Sequence, residues 1–391
     1  MRNIIFLGLV SFFADLSSEM VYPLIPIYLT SVLGATPTLV GVIEGIAESI
    51  ASLLKVFSGY ISDKYHKKKP IAFLGYASGL VYKIALLFAG SWIGILLARV
   101  IDRFGKGIRT APRDVMVSDS AEKGNTGKTF GIHKMLDMAG SAVGILIAYI
   151  LFKNLGRDSY RTVFVVSIIP VLLALLMFAF IREKKECRPT IQREAFWKNI
   201  KKLDRNLILY LVVVFVFTLG NSSNSFLLLR ACDVGFSSTD VILLYFLYNA
   251  SASILAIPFG KKSDRVGRKK LLVLGYITFA SVYFLFAFAT NKTMIVIAFI
   301  SYGVYTAMIS GTERAFISEI APPELKGTML GMHSTLTGIA LLPASVIAGF
   351  LWDSFGSFAP FTFGAILSLL AAILLIFGMK NNDYGCDMNR N

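Results

Sequence analysis

Charged residues are scarce in this chain. They make up only 16% of its 391 residues, whereas hydrophobic residues make up 55%. A soluble domain of this size needs many more polar residues to cover its surface. The shortage of charge therefore excludes an ordinary soluble fold and favours a protein whose outer surface contacts lipid.

Cysteine and histidine are also rare, with three of each. They are Cys187, Cys232, Cys386, His66, His133 and His333. None of them shows metal-ligand spacing, and the cysteines show no obvious pairing. The sequence predicts neither a metal site nor a disulfide framework.

Catalytic motifs are missing as well. Gly105-Lys106-Gly107 matches part of a phosphate-binding loop, but that loop needs glycine at position 100 and serine or threonine at 107. The chain has Val100 and Gly107 there. No catalytic triad, metalloprotease motif or dinucleotide fingerprint lies on a segment that could host it. We predict that the protein is not an enzyme and uses no cofactor.

Acidic residues are fewer than basic ones, 24 against 39, which gives a formal net charge of +15. Such a charge could suggest a nucleic-acid partner. However, the basic residues fall in loops between apolar runs, which is typical of cytoplasmic loops of membrane proteins rather than of a basic patch on a folded surface. We therefore expect no nucleic-acid partner.

Long apolar runs are what the chain has in abundance, and each is long enough to cross a bilayer. They lie near residues 4–30, 39–58, 71–89, 92–116, 130–152, 162–181, 206–229, 240–259, 271–290, 293–317, 329–351 and 358–378. The first run has no small-residue cleavage site, so we expect a retained span. The sequence predicts an all-α membrane protein with about twelve transmembrane helices in two six-helix halves.

Lysine and arginine predict the orientation. They concentrate in the even-numbered loops, around residues 64–69, 182–205 and 261–270, while the odd-numbered loops are nearly free of charge. The positive-inside rule then places both termini in the cytoplasm and the protein in the cell membrane. The predicted domains are an N-terminal bundle (1–181), a cytoplasmic linker (182–205), a C-terminal bundle (206–380) and a short cytoplasmic tail (381–391).

Two basic segments repeat at an offset of 201 residues. The first contains Gly59, Asp63, Lys64 and Lys67, and the second contains Gly260, Asp264, Arg265, Gly267 and Arg268. Each copy lies between two apolar runs, so the repeat indicates a duplicated transporter with two halves in parallel orientation. We expect these loops to take part in gating; topology determination alone is the alternative for the individual lysines.

These loops carry a resemblance to the major facilitator superfamily over the whole chain. The superfamily's signature reads G-x-x-x-D-[RK]-x-G-[RK]-[RK]; the second copy fits it, and the first has His66 in place of the last glycine. The fourth run, around Arg99 and Arg103, resembles the superfamily's arginine motif, and residues 103–114 resemble a largely uncharacterised prokaryotic subgroup. The fifth run contains Gly140 and Gly144 but lacks the proline of the antiporter motif that is typical of many drug exporters. The resemblance implies a transporter of a small-molecule substrate that works by alternating access; we expect a monomer.

Basic residues inside the fourth run are the most unusual feature. Arg99, Arg103 and Lys106 share one helix face. Each charge costs about 2.5–3.5 kcal/mol at mid-bilayer, so these side chains cannot face lipid. They must face water, acidic partners or an anionic substrate.

Acidic residues in neighbouring runs could serve as partners or as proton carriers. They are Asp15, Glu19, Glu44, Glu48 and Asp137. A cavity carboxylate that loses and regains an arginine partner could exchange a proton during transport. A purely structural network and binding of an organic anion by the arginines are the alternatives.

The C-terminal half offers milder polar chemistry. Asn221, Asn224, Tyr245 and Asn249 lie in its first two spans and suit contacts with neutral groups of a substrate, although helix packing could also explain them. The sequence as a whole predicts a proton-coupled secondary transporter of an organic anion or a drug-like compound. The alternative is a transporter-like sensor, lipid-moving protein or scaffold without solute flux.

Overall fold

The protein is described by a computed structural model over residues 2–65, 68–120, 126–155, 159–181, 205–309, 311–321 and 326–379. These residues form sixteen helices. In order they are α1 (Arg2–Val21), α2 (Leu24–Ser31), α3 (Pro37–Tyr65), α4 (Lys68–Phe88), α5 (Trp92–Asp119), α6 (Thr126–Leu155), α7 (Ser159–Val166), α8 (Ile168–Ala179), α9 (Arg205–Gly220), α10 (Ser225–Asp233), α11 (Ser238–Val266), α12 (Arg268–Phe288), α13 (Lys292–Ile309), α14 (Thr312–Ile320), α15 (Lys326–Phe355) and α16 (Ala359–Gly378).

The sixteen helices make twelve rods, because four rods are pairs of shorter helices: α1–α2, α7–α8, α9–α10 and α13–α14. Within the described residues, eleven rods are long and apolar enough to cross a membrane. The twelfth, α5, has 28 residues and enough length, but its charged residues lower its hydropathy. The prediction of an all-α protein with about twelve spans is confirmed.

Large apolar side chains are exposed on the outer helices. On α4 and α16 they include Leu74, Phe88, Ile366, Ile373 and Phe377. A soluble protein rarely exposes so continuous an apolar surface, whereas a bilayer covers it at no cost. The exposed faces of these helices are therefore the lipid-facing surface.

Helices α1–α8 form the N-terminal half and α9–α16 the C-terminal half. The halves meet where α3 packs on α15, α6 on α11 and α2 on α10. We call the end of the bundle that carries the α3–α4 and α11–α12 junctions the basic face, and the end with the α2–α3 and α15–α16 junctions the opposite face. Residues 182–204 and 380–391 lie outside the described residues, so the predicted linker and tail stay predictions.

Small residues let α1 and α6 approach closely. A Cβ atom added at Gly140 would overlap the backbone of Phe12, and one added at Gly144 would overlap the backbone of Leu16. Close approach through small residues is the usual way in which helices associate in lipid, where no hydrophobic force drives them together. This contact positions Asp15 of α1 against α6.

Alanine at Gly144 is expected to lower the free energy of unfolding by about 1–3 kcal/mol, because its Cβ meets rigid backbone. Gly79→Ala is the matched control, since its Cβ would lie in ordinary contact, 3.9 Å from Val171. That variant should be neutral or more stable by up to about 1 kcal/mol through helix propensity. Unfolding in mixed micelles measures both; equal effects of the two substitutions would contradict the close α1–α6 contact.

The duplicated basic segments are mostly helical rather than loops. Residues 59–64 lie in α3 and residues 260–265 in α11. In the second copy, Gly267 alone separates α11 from α12. Its φ is +96°, a conformation that favours glycine. Arg268 then donates to Ala315 O at 2.9 Å and pairs with Glu319 at 3.1 Å, within the C-terminal half. Lys67 falls outside the described residues, and a gating role stays a prediction.

Candidate functional site between the two halves

Corresponding rods of the two halves are interrupted at matching positions. The first rod breaks at Tyr22-Pro23, where proline cannot donate the helical hydrogen bond. The seventh rod breaks over residues 221–224, Asn-Ser-Ser-Asn, whose side chains compete for backbone hydrogen bonds. The Ser345 hydroxyl of α15 accepts a hydrogen bond from Ser223 N at 3.3 Å, so the open backbone has a partner inside the protein.

Both interruptions line one cavity of about 320 Å³, which also borders Glu48, Tyr248, Tyr302 and Tyr305. A second cavity of about 210 Å³ shares Tyr22 and Glu48 with it. Seven charged side chains of the N-terminal half line the second cavity: Glu19, Glu48, Lys55, Arg99, Asp102, Arg103 and Lys106. Broken helices beside a cavity at the repeat interface are typical of transporter binding sites.

Arg99 and Glu44 form the most buried ion pair at this site. Arg99 Nε and Nη2 donate to the two carboxylate oxygens of Glu44 at 3.0 and 2.5 Å. Each residue is only 1% exposed. The two-pronged geometry satisfies both charges inside the membrane-spanning bundle, which is the condition for burying them without a large penalty.

Arg103 forms the next pair, one helical turn along α5. Its Nη2 lies 2.8 Å from Glu48 Oε1. Asp102 lies between the two arginines, 3.7 Å from Arg99 Nη1 and 3.8 Å from Arg103 Nε. The Tyr22 ring covers both guanidinium groups, with its centroid 5.4 and 5.7 Å from their Cζ atoms. The arginines are therefore held by protein carboxylates in this conformation.

Lys106 and Glu19 line the same charged cavity and differ from the arginine pairs. Neither makes an ion pair within 4 Å among the residues that the structure describes. Glu19 Oε2 accepts a hydrogen bond from the Tyr245 hydroxyl at 3.0 Å, which joins the two halves. One base and one acid thus remain available to a ligand or a proton.

Asp15 of α1 and Asp137 of α6 lie close enough for their carboxyl groups to interact. Two carboxylates that share a site repel each other, so a proton on one of them would stabilise the pair. Asp137 also accepts from Ser11 Oγ at 2.6 Å and Lys134 Nζ at 2.8 Å. These two donors stabilise a negative charge on Asp137.

The C-terminal wall of the cavity is aromatic. Ring centroids are 5.7 Å apart between Tyr245 and Tyr248, 5.1 Å between Tyr248 and Tyr302, and 5.3 Å between Tyr302 and Tyr305. The Tyr302 hydroxyl donates to Asn224 Oδ1 at 2.8 Å, and Asn221 Nδ2 donates to the Tyr305 hydroxyl at 3.2 Å. The two amides therefore hold tyrosine hydroxyls in place and leave ring surface along the cavity.

The structure brings together most of the residues predicted from sequence. Those lining the two cavities are Glu19, Glu48, Arg99, Arg103, Lys106, Asn221, Asn224 and Tyr245. Glu44 lies behind them as the partner of Arg99, and Asp15 and Asp137 form their own cluster nearby. Asn249 borders neither cavity; its amide donates to Tyr245 O of its own helix at 2.9 Å. These placements leave the roles of the residues as predictions.

Two residues at the site were not predicted from the sequence. Lys83 of α4 is 1% exposed, its Nζ has no hydrogen-bond partner among the described residues, and it lies 4.4 Å from the Tyr82 ring centroid. Its signal was a lysine in the middle of the third apolar run. Tyr22 borders both cavities, and the Tyr22-Pro23 pair inside the first run was the available signal.

A metal site has no support in the described part of the chain, where no group of three or more His, Cys, Asp or Glu side chains could hold an ion. The fold and the cavities define a polytopic membrane protein with a polar site between its two helical halves. The family model described as Major Facilitator Superfamily matches residues 7–231 and 209–384, and the chain belongs to that family of transporters.

Individual relatives agree with this assignment. An uncharacterised MFS-type transporter of Methanocaldococcus jannaschii is 35% identical over 382 residues, covering 96% of this chain and 94% of the relative. An uncharacterised MFS-type transporter of Bacillus subtilis is 23% identical over 94% of this chain and 96% of its own. The crystal structure of the nucleoside transporter NupG has a TM-score of 0.79 at 13% identity, over 97% of this chain and 100% of NupG. At that identity the likeness shows the fold alone.

Proposed function

We propose that this protein is a secondary active transporter that moves a small solute by alternating access and uses protons as the coupling ion. The supporting observation is a pair of neighbouring cavities between the two halves. One borders both helix interruptions, and the other contains an acid and a base without ion-pair partners in the described structure. Transporter sites need polar groups that are free in one state and engaged in another. The proposed setting is a monomer in the cell membrane with both termini in the cytoplasm.

Contacts between the halves support alternating access. On the opposite face, Thr38 N and Oγ1 both donate to Asp353 Oδ2, at 3.0 and 2.5 Å. Further along the same seam, Ser49 Oγ donates to Gly338 O at 2.6 Å. The Thr38–Asp353 contact joins α3 and α15 at the opposite face and so supports closure on that side. If the basic face is cytoplasmic, this closure supports an inward-facing state.

Proton coupling is supported by the Asp15–Asp137 pair and by Glu19, whose only described partner is a tyrosine hydroxyl. A carboxyl group can carry a proton across the cycle when its partners change between states. The tyrosine contact of Glu19 crosses the interface between the halves, so any rocking of one half against the other must break it.

Transport itself can be tested in proteoliposomes. Ligands are first identified by thermal shift at two pH values, because a bound ligand stabilises the protein by mass action. Each ligand is then tested for counterflow and for accumulation driven by a pH gradient. We expect both. A ligand that binds but never crosses the membrane, together with a stable protein partner, would favour the sensor or scaffold function instead.

Asp353→Asn is expected to increase the population of molecules in which the cavity is open toward the opposite face. Losing a charged acceptor of two hydrogen bonds weakens the seam by about 1.5 kcal/mol, which corresponds to roughly a tenfold shift in population. The three native cysteines are replaced by serine, and a single cysteine is introduced by Ser222→Cys. The measurement is the rate at which an impermeant maleimide labels this cysteine. Asp240→Asn, an exposed acid within the C-terminal half, is the control, and equal rates in the two variants would contradict the closure assigned to this seam.

A further inference from the structure

The cavity between the halves has two zones of different chemistry. The charged zone, on the N-terminal half, contains Lys106 and Glu19 among paired charges. The tyrosine zone, on the C-terminal half, contains Tyr248, Tyr302 and Tyr305. The zones meet at Tyr22 and Glu48, which border both cavities, so a ligand that extends past these two side chains would contact both zones.

The arginines are poor sites for an acidic group of a ligand. Arg99 would have to leave a two-pronged pair with Glu44 that is almost fully buried, and Arg103 would have to leave Glu48. Separating such a pair strands a buried charge and is strongly unfavourable. Lys106 has no such partner in the described structure, so an acidic group can bind its ammonium without breaking an existing pair.

The sign of the surrounding charge also favours an acid. The bases that line the charged zone are Lys55, Arg99, Arg103 and Lys106, and the acids that line it are Glu19, Glu48 and Asp102. The excess is one formal positive charge, which attracts an anion and repels an amine. Among these described acids, Glu19 is the one without a basic partner within 4 Å, and protonation at that carboxyl would increase the excess further.

The tyrosine zone suits a planar ring. Its neighbouring ring centroids are 5.1 and 5.3 Å apart, which is the spacing of offset or tilted aromatic packing. The hydroxyls of Tyr302 and Tyr305 are engaged by Asn224 and Asn221, so the rings are fixed in orientation. A planar ring can therefore add to the row without disturbing it.

From these observations we propose that the ligand of this cavity is an aromatic or heteroaromatic acid, with its ring against Tyr248, Tyr302 and Tyr305 and its acidic group on Lys106. The volumes of about 320 and 210 Å³ suit one or two rings with a short acidic arm. This assignment names the substrate class of the proposed transporter. It rests on the proposed function only because it treats the bound ligand as the transported substrate.

Direct binding to the purified, full-length protein tests the proposal. The probes are benzoate, nicotinate and indole-3-acetate, with the matching primary amides, with benzylamine and tryptamine, and with hexanoate as a ring-free acid. Isothermal titration and thermal shift should show binding by the aromatic acids, with amides, amines and hexanoate at least tenfold weaker. Preferential binding of the amines, or no binding by any aromatic acid at millimolar concentration, would overturn the assignment.

Variants separate the two zones. Lys106→Gln should weaken binding of the acids at least tenfold, while Lys106→Arg keeps most of the affinity because the charge remains. Tyr302→Leu should weaken the aromatic acids and leave the weak binding of hexanoate unchanged. The matched control is Lys292→Gln, an exposed lysine away from the cavity. Equal affinity of Lys106→Gln and the control, in protein that elutes as a folded monodisperse species, would contradict the role of Lys106.

Failure of the ligand class and failure of transport give different results. Binding that depends on Lys106 and Tyr302 without any flux in proteoliposomes would support the ligand class and contradict the transport function. Flux of a solute without a ring or an acidic group, unaffected by Lys106→Gln, would support transport and overturn the ligand class.

Discussion

Arg99→Gln is expected to lower the free energy of unfolding by about 3–5 kcal/mol. The variant leaves the Glu44 carboxylate, 1% exposed, without either of its two guanidinium donors. An unpaired charge at this depth cannot reach water, so its desolvation is no longer offset. Glu44→Gln should have a similar cost because it strands the guanidinium.

The double variant Glu44→Gln/Arg99→Gln distinguishes pairing from packing. Two amides can hydrogen-bond to each other and carry no charge, so the double variant should be more stable than either single variant. Arg268→Gln is the control, because Arg268 and Glu319 form a pair that is about one third exposed and should contribute at most about 1 kcal/mol. Reversible unfolding in mixed micelles provides the numbers, and additive losses in the double variant would contradict the buried pair.

A second large effect is expected from Asp15→Asn, which should abolish uphill, pH-driven accumulation of the substrate. We propose that the Asp15–Asp137 pair carries the coupling proton, which an asparagine at position 15 could neither take up nor release. The groups that face the Asp15–Asp137 pair are Ser11 on α1, Lys134 on α6, Lys106 and Arg109 on α5, and Tyr76 on α4. A change in their distance during the transport cycle would drive uptake and release of the proton.

Counterflow distinguishes a coupling residue from a structural one. Asp15→Asn should retain exchange of labelled for unlabelled substrate at equal concentrations, since exchange needs no net proton movement, while accumulation falls to the equilibrium level. Glu19→Gln tests the second proton candidate in the same assay. The exposed Asp240→Asn serves as the control with normal accumulation. Wild-type accumulation in both Asp15→Asn and Glu19→Gln would remove proton coupling from the proposal.

The membrane spans were predictable from sequence because a single physical constraint acts on each continuous segment. Backbone groups in lipid must bond within their own segment, so a run of apolar residues long enough to span the bilayer predicts a helix. The same constraint made Arg99 and Arg103 conspicuous, since charges there require partners. Composition alone does not qualify α5 as a span, because its charged residues lower its hydropathy.

Contacts where several helices meet were not predictable in the same way. Spacing along α5 shows that Arg99 and Arg103 share a face, but not which acids that face meets. The partner Glu44 lies 55 positions away on α3, and Tyr245 contacts Glu19 across 226 positions. Lys83 was missed because its significance depends on α5 packing beside it. The duplicated basic segments were expected as loops, whereas residues 59–64 continue α3 and residues 260–265 continue α11.

The sequence by itself determined the membrane-spanning class, the number of spans, the two-fold repeat and the requirement that the charges of α5 face inward, because hydropathy and helical periodicity are local properties. Only the tertiary structure decided which acid pairs with which base, that Lys106 and Glu19 have no ion-pair partner among the described residues, and that a tyrosine row faces them from the other half. Those features depend on the rotation and crossing of helices far apart in the chain, and many different packings would satisfy the same local pattern. The substrate class proposed for this transporter therefore rests on the packing of the two halves.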